Sequence, residues 1–178
     1  MNNYRLKYYI FLDELNEKII KNIQKLKKKK IDFKLIISEK NFFSILDFAN
    51  NSKISFYIID DIKLAVKYKA FGIFVTGKNK NFINTPKNTN KIKIIGSAHN
   101  QYEYFIKERQ GCSTIFLSPI FYNKKYSLNK ILHINKFNLI TLNWKTGIGA
   151  LGGINLKNLR LIQLTRSNSI GIKSLISK

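Results

Sequence analysis

Short apolar runs recur along this chain, and each is followed by a polar residue or by glycine. Runs of this kind are typical of buried parallel strands whose carboxyl ends open into loops. Eight of them predict β-strands, at residues 6–12, 33–37, 54–59, 71–75, 92–95, 114–117, 148–151 and 169–172.

The segments between these runs place apolar residues every three or four positions, with polar residues between them. This spacing predicts amphipathic helices, which would cover residues 14–29, 42–50, 62–68, 101–110, 131–144 and 156–164. Asp13 can cap the first helix, and Gly111 can end the helix that precedes it. Residues 76–90 are polar and predict a loop or a short irregular helix.

Strands that alternate with helices predict an α/β fold. Eight strands favour a lean (β/α)₈ barrel in a single domain over residues 1–178, with little room for an eighth helix. The pattern alone also allows an open parallel sheet. In both folds ligands bind at the carboxyl ends of the strands. The candidate residues there are Lys40, Asp60, Ser97, Lys124, Gly152 and Gly153.

Four candidate residues allow two interpretations each. Gly152 and Gly153 would let backbone N–H groups approach a phosphate, with the dipole of the helix predicted at residue 156 behind them; a tight structural turn is the alternative. Asp60 can hold Mg²⁺ or substrate, or it can cap the next helix together with Asp61. His99 is a candidate phosphate contact or a polar cap at a helix start.

Composition narrows the classes of function. Cys112 is the single cysteine, which excludes an internal disulfide and disfavours a zinc site; we expect a buried thiol. No apolar run approaches the roughly 20 residues that span a bilayer, and the amino terminus lacks the apolar segment of a secretion signal. We therefore expect a cytoplasmic protein with no membrane partner.

The net charge of +22 raises the question of a nucleic-acid partner. Arginine, the residue favoured for bidentate contacts with bases and phosphates, occurs at only four positions, and the lysines are spread along the chain. Their dense run, residues 25–30, ends a predicted helix, where cations complement the helix dipole. We expect a solvated basic surface and no specific nucleic acid, with a nucleic-acid binder as the alternative class.

Several of these segments together resemble the thiamine phosphate synthase superfamily, which includes the TenI-like thiazole tautomerases. The similarity is densest in IIGSAHN at residues 94–100, GCSTIFLSPIF at 111–121 and ALGGI at 150–154. IIDDIKLAVKYKAFGIFV at 58–75 is similar to the upstream family block. The resemblance implies a TIM barrel that joins a pyrimidine methyl pyrophosphate to a thiazole phosphate, releasing pyrophosphate with the help of Mg²⁺.

The resemblance also implies roles for particular residues. Gly153 and Ser174 match positions that hold the thiazole phosphate, and Gly152 adjoins them. Ser97 matches a pyrophosphate contact, and Lys124 or Lys125 matches a lysine that closes over the pyrophosphate. Two further matches are Asp60 with a Mg²⁺ carboxylate and Lys40 with the lysine that ends the second-strand motif.

The chain departs from the family at five positions that matter to function. Ile36 and Ser38 stand near the family's Gln and Arg, and Phe74 replaces a histidine. Asn79 stands near the second Mg²⁺ carboxylate, and Pro119 occupies the place of the tautomerase histidine. Each loss of one well-placed charged group typically costs on the order of 10²–10³ in rate.

Two functions in thiamine biosynthesis follow from the resemblance. The first is synthase-like coupling with Mg²⁺ and phosphorylated small molecules as substrates. The alternative is a TenI-like or catalytically degenerate protein that binds thiazole phosphate without synthase turnover.

Overall fold

The fold is a closed barrel of eight parallel strands in chain order, with the last strand paired to the first. The computed structural model describes residues 6–83, 92–124 and 126–173. The strands are β1 (Lys7–Leu12), β2 (Phe33–Ile37), β3 (Phe56–Ile59), β4 (Gly72–Val75), β5 (Lys93–Ala98), β6 (Thr114–Leu117), β7 (Gly147–Leu151) and β8 (Ser169–Ile172). The predicted (β/α)₈ barrel is confirmed, and the open-sheet alternative is excluded.

The helices connect the strands outside the barrel. Those described are α1 (Glu17–Lys28), α2 (Phe42–Asn51), α3 (Ile62–Lys67), α4 (Gln101–Arg109) and α5 (His133–Ile140), with 3₁₀ turns at Leu128–Lys130 and Leu159–Leu164. Asn16 rather than Asp13 caps α1, because its Oδ1 accepts a hydrogen bond from the backbone N–H of Ile19 at 2.9 Å. The Asp13 carboxylate instead forms an ion pair with Lys173.

The helix predicted at residues 156–164 is present only as a shorter 3₁₀ helix. The segment begins as a turn and continues as the 3₁₀ turn Leu159–Leu164. Asn155 Oδ1 accepts the backbone N–H groups of Lys157 and Asn158, at 2.9 and 3.3 Å, which is the hydrogen-bond pattern of a helix cap. The α-helix expected behind the glycine pair is replaced within residues 152–164 by a short 3₁₀ helix.

Aromatic and aliphatic side chains fill the interior of the barrel. The buried cluster consists of Tyr9, Ile36, Tyr57, Phe74, Ile95 and Phe116. Three partly buried residues, Phe11, Ile59 and Leu151, close it at the carboxyl ends of their strands. Two larger clusters lie outside the barrel, one packing α1–α3 on β1–β4 and the other packing α4 and α5 on β5–β8.

Two sequence expectations concern single features of this fold. Cys112 is buried as predicted, 3% exposed, and burial raises the pKa of its thiol to about 12. None of the helices in the described ranges has the length and apolar character needed to cross a bilayer.

Trp144, the single tryptophan, stacks on Tyr104 of α4 with the two ring centroids 4.2 Å apart.

Candidate active site at the carboxyl end of the barrel

Ser97 lies at the carboxyl end of β5. The strand is longer than predicted and runs to Ala98, which includes Ser97 in the sheet. Alternation along the strand places its side chain on the same face as Ile95 of the interior cluster. Ser97 is 6% exposed, and its Oγ accepts a hydrogen bond from the backbone N–H of Gly77 at 3.1 Å. The hydroxyl proton can still be donated to a ligand.

Asp60 follows β3 in a left-handed backbone conformation, with φ of 55°. Its neighbour Asp61, not Asp60, caps α3 by accepting the Leu64 N–H at 2.8 Å. The Asp60 carboxylate turns toward the loop after β4. It accepts the backbone N–H of Thr76 at 2.9 Å, the Thr76 hydroxyl at 2.6 Å and the Asn79 amide at 2.9 Å. The helix-cap interpretation of Asp60 is therefore excluded.

The surroundings of Asp60 do not fit Mg²⁺ well. Mg²⁺ takes oxygen ligands, commonly one or two carboxylates together with substrate phosphates, whereas both Asp60 oxygens already accept hydrogen bonds. Asn79 turns its NH₂ group toward Asp60, because its own Oδ1 accepts the Asn81 N–H at 3.0 Å. In the part of the chain that the structure describes, no group of three or more His, Cys, Asp and Glu residues comes together. Mg²⁺ at Asp60 stays a prediction from the resemblance.

His99 belongs to a chain of three polar side chains at the same end of the barrel. Glu103 Oε2 accepts hydrogen bonds from the His99 backbone N–H at 2.8 Å and lies 2.9 Å from Nδ1. The Tyr126 hydroxyl lies 3.2 Å from Nε2. Asn100, not His99, caps α4, accepting the Glu103 N–H at 2.9 Å. Whether the His99 ring contacts phosphate stays a prediction.

The glycine pair after β7 packs tightly against the loop after β6. Both residues have positive φ angles, 91° for Gly152 and 71° for Gly153. A Cβ atom on Gly153 would lie 2.4 Å from the Phe121 carbonyl oxygen and 2.5 Å from that of Tyr122. The Gly152 carbonyl accepts the Phe121 N–H at 3.1 Å. This geometry accounts for both glycines as a structural turn, and phosphate binding by them stays a prediction.

Three lysines supply positive charge near the barrel mouth. Lys40 and Lys124 are exposed, in the loops that follow β2 and β6. Lys40 lines a cleft of about 250 Å³ that also includes Asp13 and Lys173. The other two predicted contacts, Lys125 and Ser174, lie outside the described residues.

A buried lysine of α4 was not among the predicted site residues. Lys107 is fully buried, and its ammonium group donates hydrogen bonds to the Asn79 carbonyl and, at 2.8 Å, to Gln110 Oε1. Burial lowers its pKa from the usual 10.5. One signal in the sequence could have identified it: Lys107 shares a helix face with Tyr104, which is also buried.

The profile of the family described as thiamine monophosphate synthase matches residues 15–176. The chain belongs to this family. Thiamine-phosphate synthase of Flavobacterium psychrophilum is 30% identical over 131 residues, which are 70% of this chain and 64% of that protein. The chain thus matches slightly less than two thirds of the length of this curated relative.

Two solved structures of proteins named thiamine phosphate pyrophosphorylase share the fold. Thiamine phosphate pyrophosphorylase from Pyrococcus furiosus has a TM-score of 0.71 and 16% identity, covering 97% of this chain and 87% of that chain. The pyrophosphorylase from Bacteroides thetaiotaomicron has a TM-score of 0.56 and 15% identity, covering 95% and 83%. At these identities the likeness concerns the fold alone.

Two positions where the chain departs from the thiamine monophosphate synthase family meet inside the barrel. Ile36 and Phe74, 0% and 2% exposed, belong to the same interior cluster. Phe11 packs edge-on against Phe74 with the ring centroids 5.0 Å apart. Apolar side chains therefore occupy the places where the resemblance implies Gln and His. Ser38, in place of the arginine, donates a long hydrogen bond of 3.4 Å to the Leu12 carbonyl.

Proposed function

We propose that this protein forms thiamine phosphate from a pyrimidine methyl pyrophosphate and a thiazole phosphate. Family membership over residues 15–176 supports the substrate class. The observation that carries the proposal is Ser97, because its buried hydroxyl lies at the barrel mouth and is oriented by the Gly77 N–H. A hydroxyl held in this way can donate its proton to a pyrophosphate oxygen.

The proposed reaction is a substitution at the methylene carbon of the pyrimidine. The bond from this carbon to the pyrophosphate oxygen breaks, and its electron pair leaves with pyrophosphate. The lone pair of the thiazole nitrogen then forms the new carbon–nitrogen bond. In the described part of the chain, Ser97 and the positive charges of Lys40 and Lys124 are proposed to stabilise the departing anion, whereas Lys173 is paired with Asp13. The apolar rings of Phe11 and Phe74 would exclude water from the cationic carbon.

The test is a coupling assay with both substrates, read out as thiamine phosphate. Ser97→Ala should lower turnover on the order of 10²-fold, because one preorganised donor to the leaving group is lost. Ser113→Ala is the matched control. The Ser113 hydroxyl binds the Ile94 carbonyl at 3.0 Å, at the amino end of β6 and away from the barrel mouth. Equal rates for the two folded variants would contradict the role of Ser97.

A second candidate function is binding of thiazole phosphate without coupling. The apolar side chains of Ile36 and Phe74 favour it, since they remove two polar groups from the interior of the site. A rise in melting temperature with thiazole phosphate alone, in a protein that forms no product from the substrate pair, would support this candidate. Product formation would exclude it.

A further inference from the structure

Two side chains of α4 hold the loop after β4 in place. Gln110 Nε2 donates to the Asn79 and Asn81 carbonyl oxygens, at 3.1 and 2.6 Å. The Lys107 ammonium donates to the same Asn79 carbonyl and to Gln110 Oε1. We call Lys107, Gln110, Asn79 and Asn81 the Lys107 network. Through Asn79, whose side chain donates to Asp60, this network extends to the proposed metal carboxylate.

The charge of the Lys107 network is matched to nearby carboxylates. A buried ammonium group is costly unless hydrogen bonds and opposite charges compensate for lost hydration. Burial is the largest influence on Lys107 and lowers its pKa, whereas negative charge on Cys112, Asp60 and Glu103 opposes this shift. The Cys112 thiol has a pKa of about 12 and is neutral near pH 7. The hydrogen bonds to the Asn79 carbonyl and to Gln110 Oε1 hold the Lys107 ammonium group in place.

We propose that this site works without a divalent metal, and that the Lys107 network takes the place of the metal beside Asp60. Asn79 contributes a donor where the family resemblance implies a second carboxylate, and it binds Asp60 directly at 2.9 Å. Lys107 contributes a resident positive charge and fixes the Asn79 backbone. Lys107 is thus a positioning residue that acts through Asn79 and through its charge. The absence of a metal site does not depend on the proposed function, whereas a role of the Lys107 network in catalysis does.

The physical reason is competition for the same carboxylate oxygens. A metal ion that bound both oxygens of Asp60 would compete with the Asn79 amide and the Thr76 hydroxyl, which bind at 2.9 and 2.6 Å. It would also meet the repulsion of the Lys107 ammonium group, which solvent weakens because Asp60 is exposed. The geometry thus disfavours a metal mainly through the occupied carboxylate oxygens.

Binding of Mn²⁺ to the full chain, measured from the spin-resonance signal of the free ion, tests the proposal without reference to turnover. The wild-type protein should show no site with a dissociation constant below about 1 mM. Asn79→Asp should create a pair of carboxylates and tighten Mn²⁺ binding at least about tenfold. Asn81→Asp is the matched control, because it adds the same charge to the same loop, where the backbone carbonyl makes the contact with Gln110.

The charge of Lys107 is tested in the Asn79→Asp background. Adding Lys107→Met should tighten Mn²⁺ binding severalfold further, since the opposing charge is removed, whereas Lys107→Arg should not. If Lys107 only held the loop after β4 in place, Lys107→Met would loosen that loop and weaken Mn²⁺ binding at the site created by Asn79→Asp. Circular dichroism confirms that each variant is folded, and Lys107→Arg keeps the test informative if the methionine variant does not fold.

Three results would overturn the proposal. The first is submillimolar Mn²⁺ binding to the wild-type protein that Asp60→Asn abolishes. The second is equal gain in Asn79→Asp and Asn81→Asp, and the third is weaker or unchanged binding when Lys107→Met is added. None of these depends on product formation, so a negative coupling assay and a negative metal result are distinguishable. If coupling is observed, its rate should be unchanged by EDTA.

Discussion

Gly153 is a residue at the barrel mouth whose side-chain position is already occupied. A Cβ atom there would meet two backbone carbonyl oxygens, of Phe121 and Tyr122, at 2.4 and 2.5 Å. Backbone atoms cannot move aside as the end of a flexible side chain can, and φ of 71° adds strain for any residue with a Cβ. Glycine is required here by packing and by backbone conformation together.

Gly153→Ala should lower the free energy of unfolding by at least about 2 kcal/mol, measured by urea denaturation. Gly111→Ala is the matched control. Gly111 has a similar φ of 79°, but its nearest neighbour to an added Cβ is Ile94 Cδ1 at 3.9 Å. That variant should lose only about 1 kcal/mol, the cost of the backbone conformation. Equal losses would mean that the loop after β6 moves aside without cost.

At the residue scale, the sequence predicted where polar groups lie but not what they contact. Ser97 and Asp60 were found because they follow apolar runs, and the barrel brings the ends of those runs together. The contact between Asp60 and Asn79 depends on the path of a loop, which has no periodic pattern to reveal it. Lys107 was missed because lysine on a helix is usually exposed, and its burial depends on acceptors from another part of the chain.

Among the elements, helix α4 connects the site to the outer core. Near its start, Glu103 contacts His99, and further along the helix Lys107 and Gln110 hold the loop after β4. The helix begins at Asn100, whose Oδ1 accepts the Glu103 N–H at 2.9 Å. One cap thus fixes the start of the helix and the residue that orients the His99 ring.

Asn100→Ala should cost about 1 kcal/mol of stability, as should Asn16→Ala at the start of α1. The two caps accept equivalent hydrogen bonds, both at 2.9 Å. Asn100→Ala should weaken binding of inorganic pyrophosphate more than Asn16→Ala, because α4 carries Glu103, which contacts His99, whereas α1 reaches the cleft only with the apolar side chain of Ile19. Isothermal titration calorimetry measures the affinity. Similar affinities in the two variants would show that the site is independent of the start of α4.

Strands were predicted more closely than helices. All eight apolar runs overlap the observed strands, because burial on both faces of a barrel strand leaves a continuous signal. Helix bounds were less accurate. The segment 131–144, predicted as a helix with its connection, contains the helix His133–Ile140, and the helix predicted at 156–164 is the 3₁₀ helix Leu159–Leu164.

At the scale of the whole molecule, the protein carries a net charge of +22. The packing of the barrel does not depend on this charge. The substrates proposed above are small phosphorylated molecules rather than a polyanion. A net charge of this size keeps protein molecules apart in solution and attracts polyanions through long-range forces that salt screens. These two effects need no specific binding surface.

Affinity for a short DNA duplex, measured by fluorescence anisotropy, should therefore be low at physiological salt and fall steeply as salt increases. The affinity for heparin should show the same dependence on salt, because neither polyanion is expected to have a specific binding site on this protein. Sequence-independent binding that survives physiological salt at micromolar concentration would instead support the nucleic-acid alternative.

The stacking of Trp144 on Tyr104 gives the protein an internal optical label. The sole indole lies 4.2 Å from a ring of α4, and its Nε1 donates to Gln101 of the same helix at 3.1 Å. Emission excited selectively from the indole therefore comes from one environment, which lies against the helix that also carries Glu103 and Lys107. A shift in that helix would change the colour or the intensity of the emitted light without any added dye.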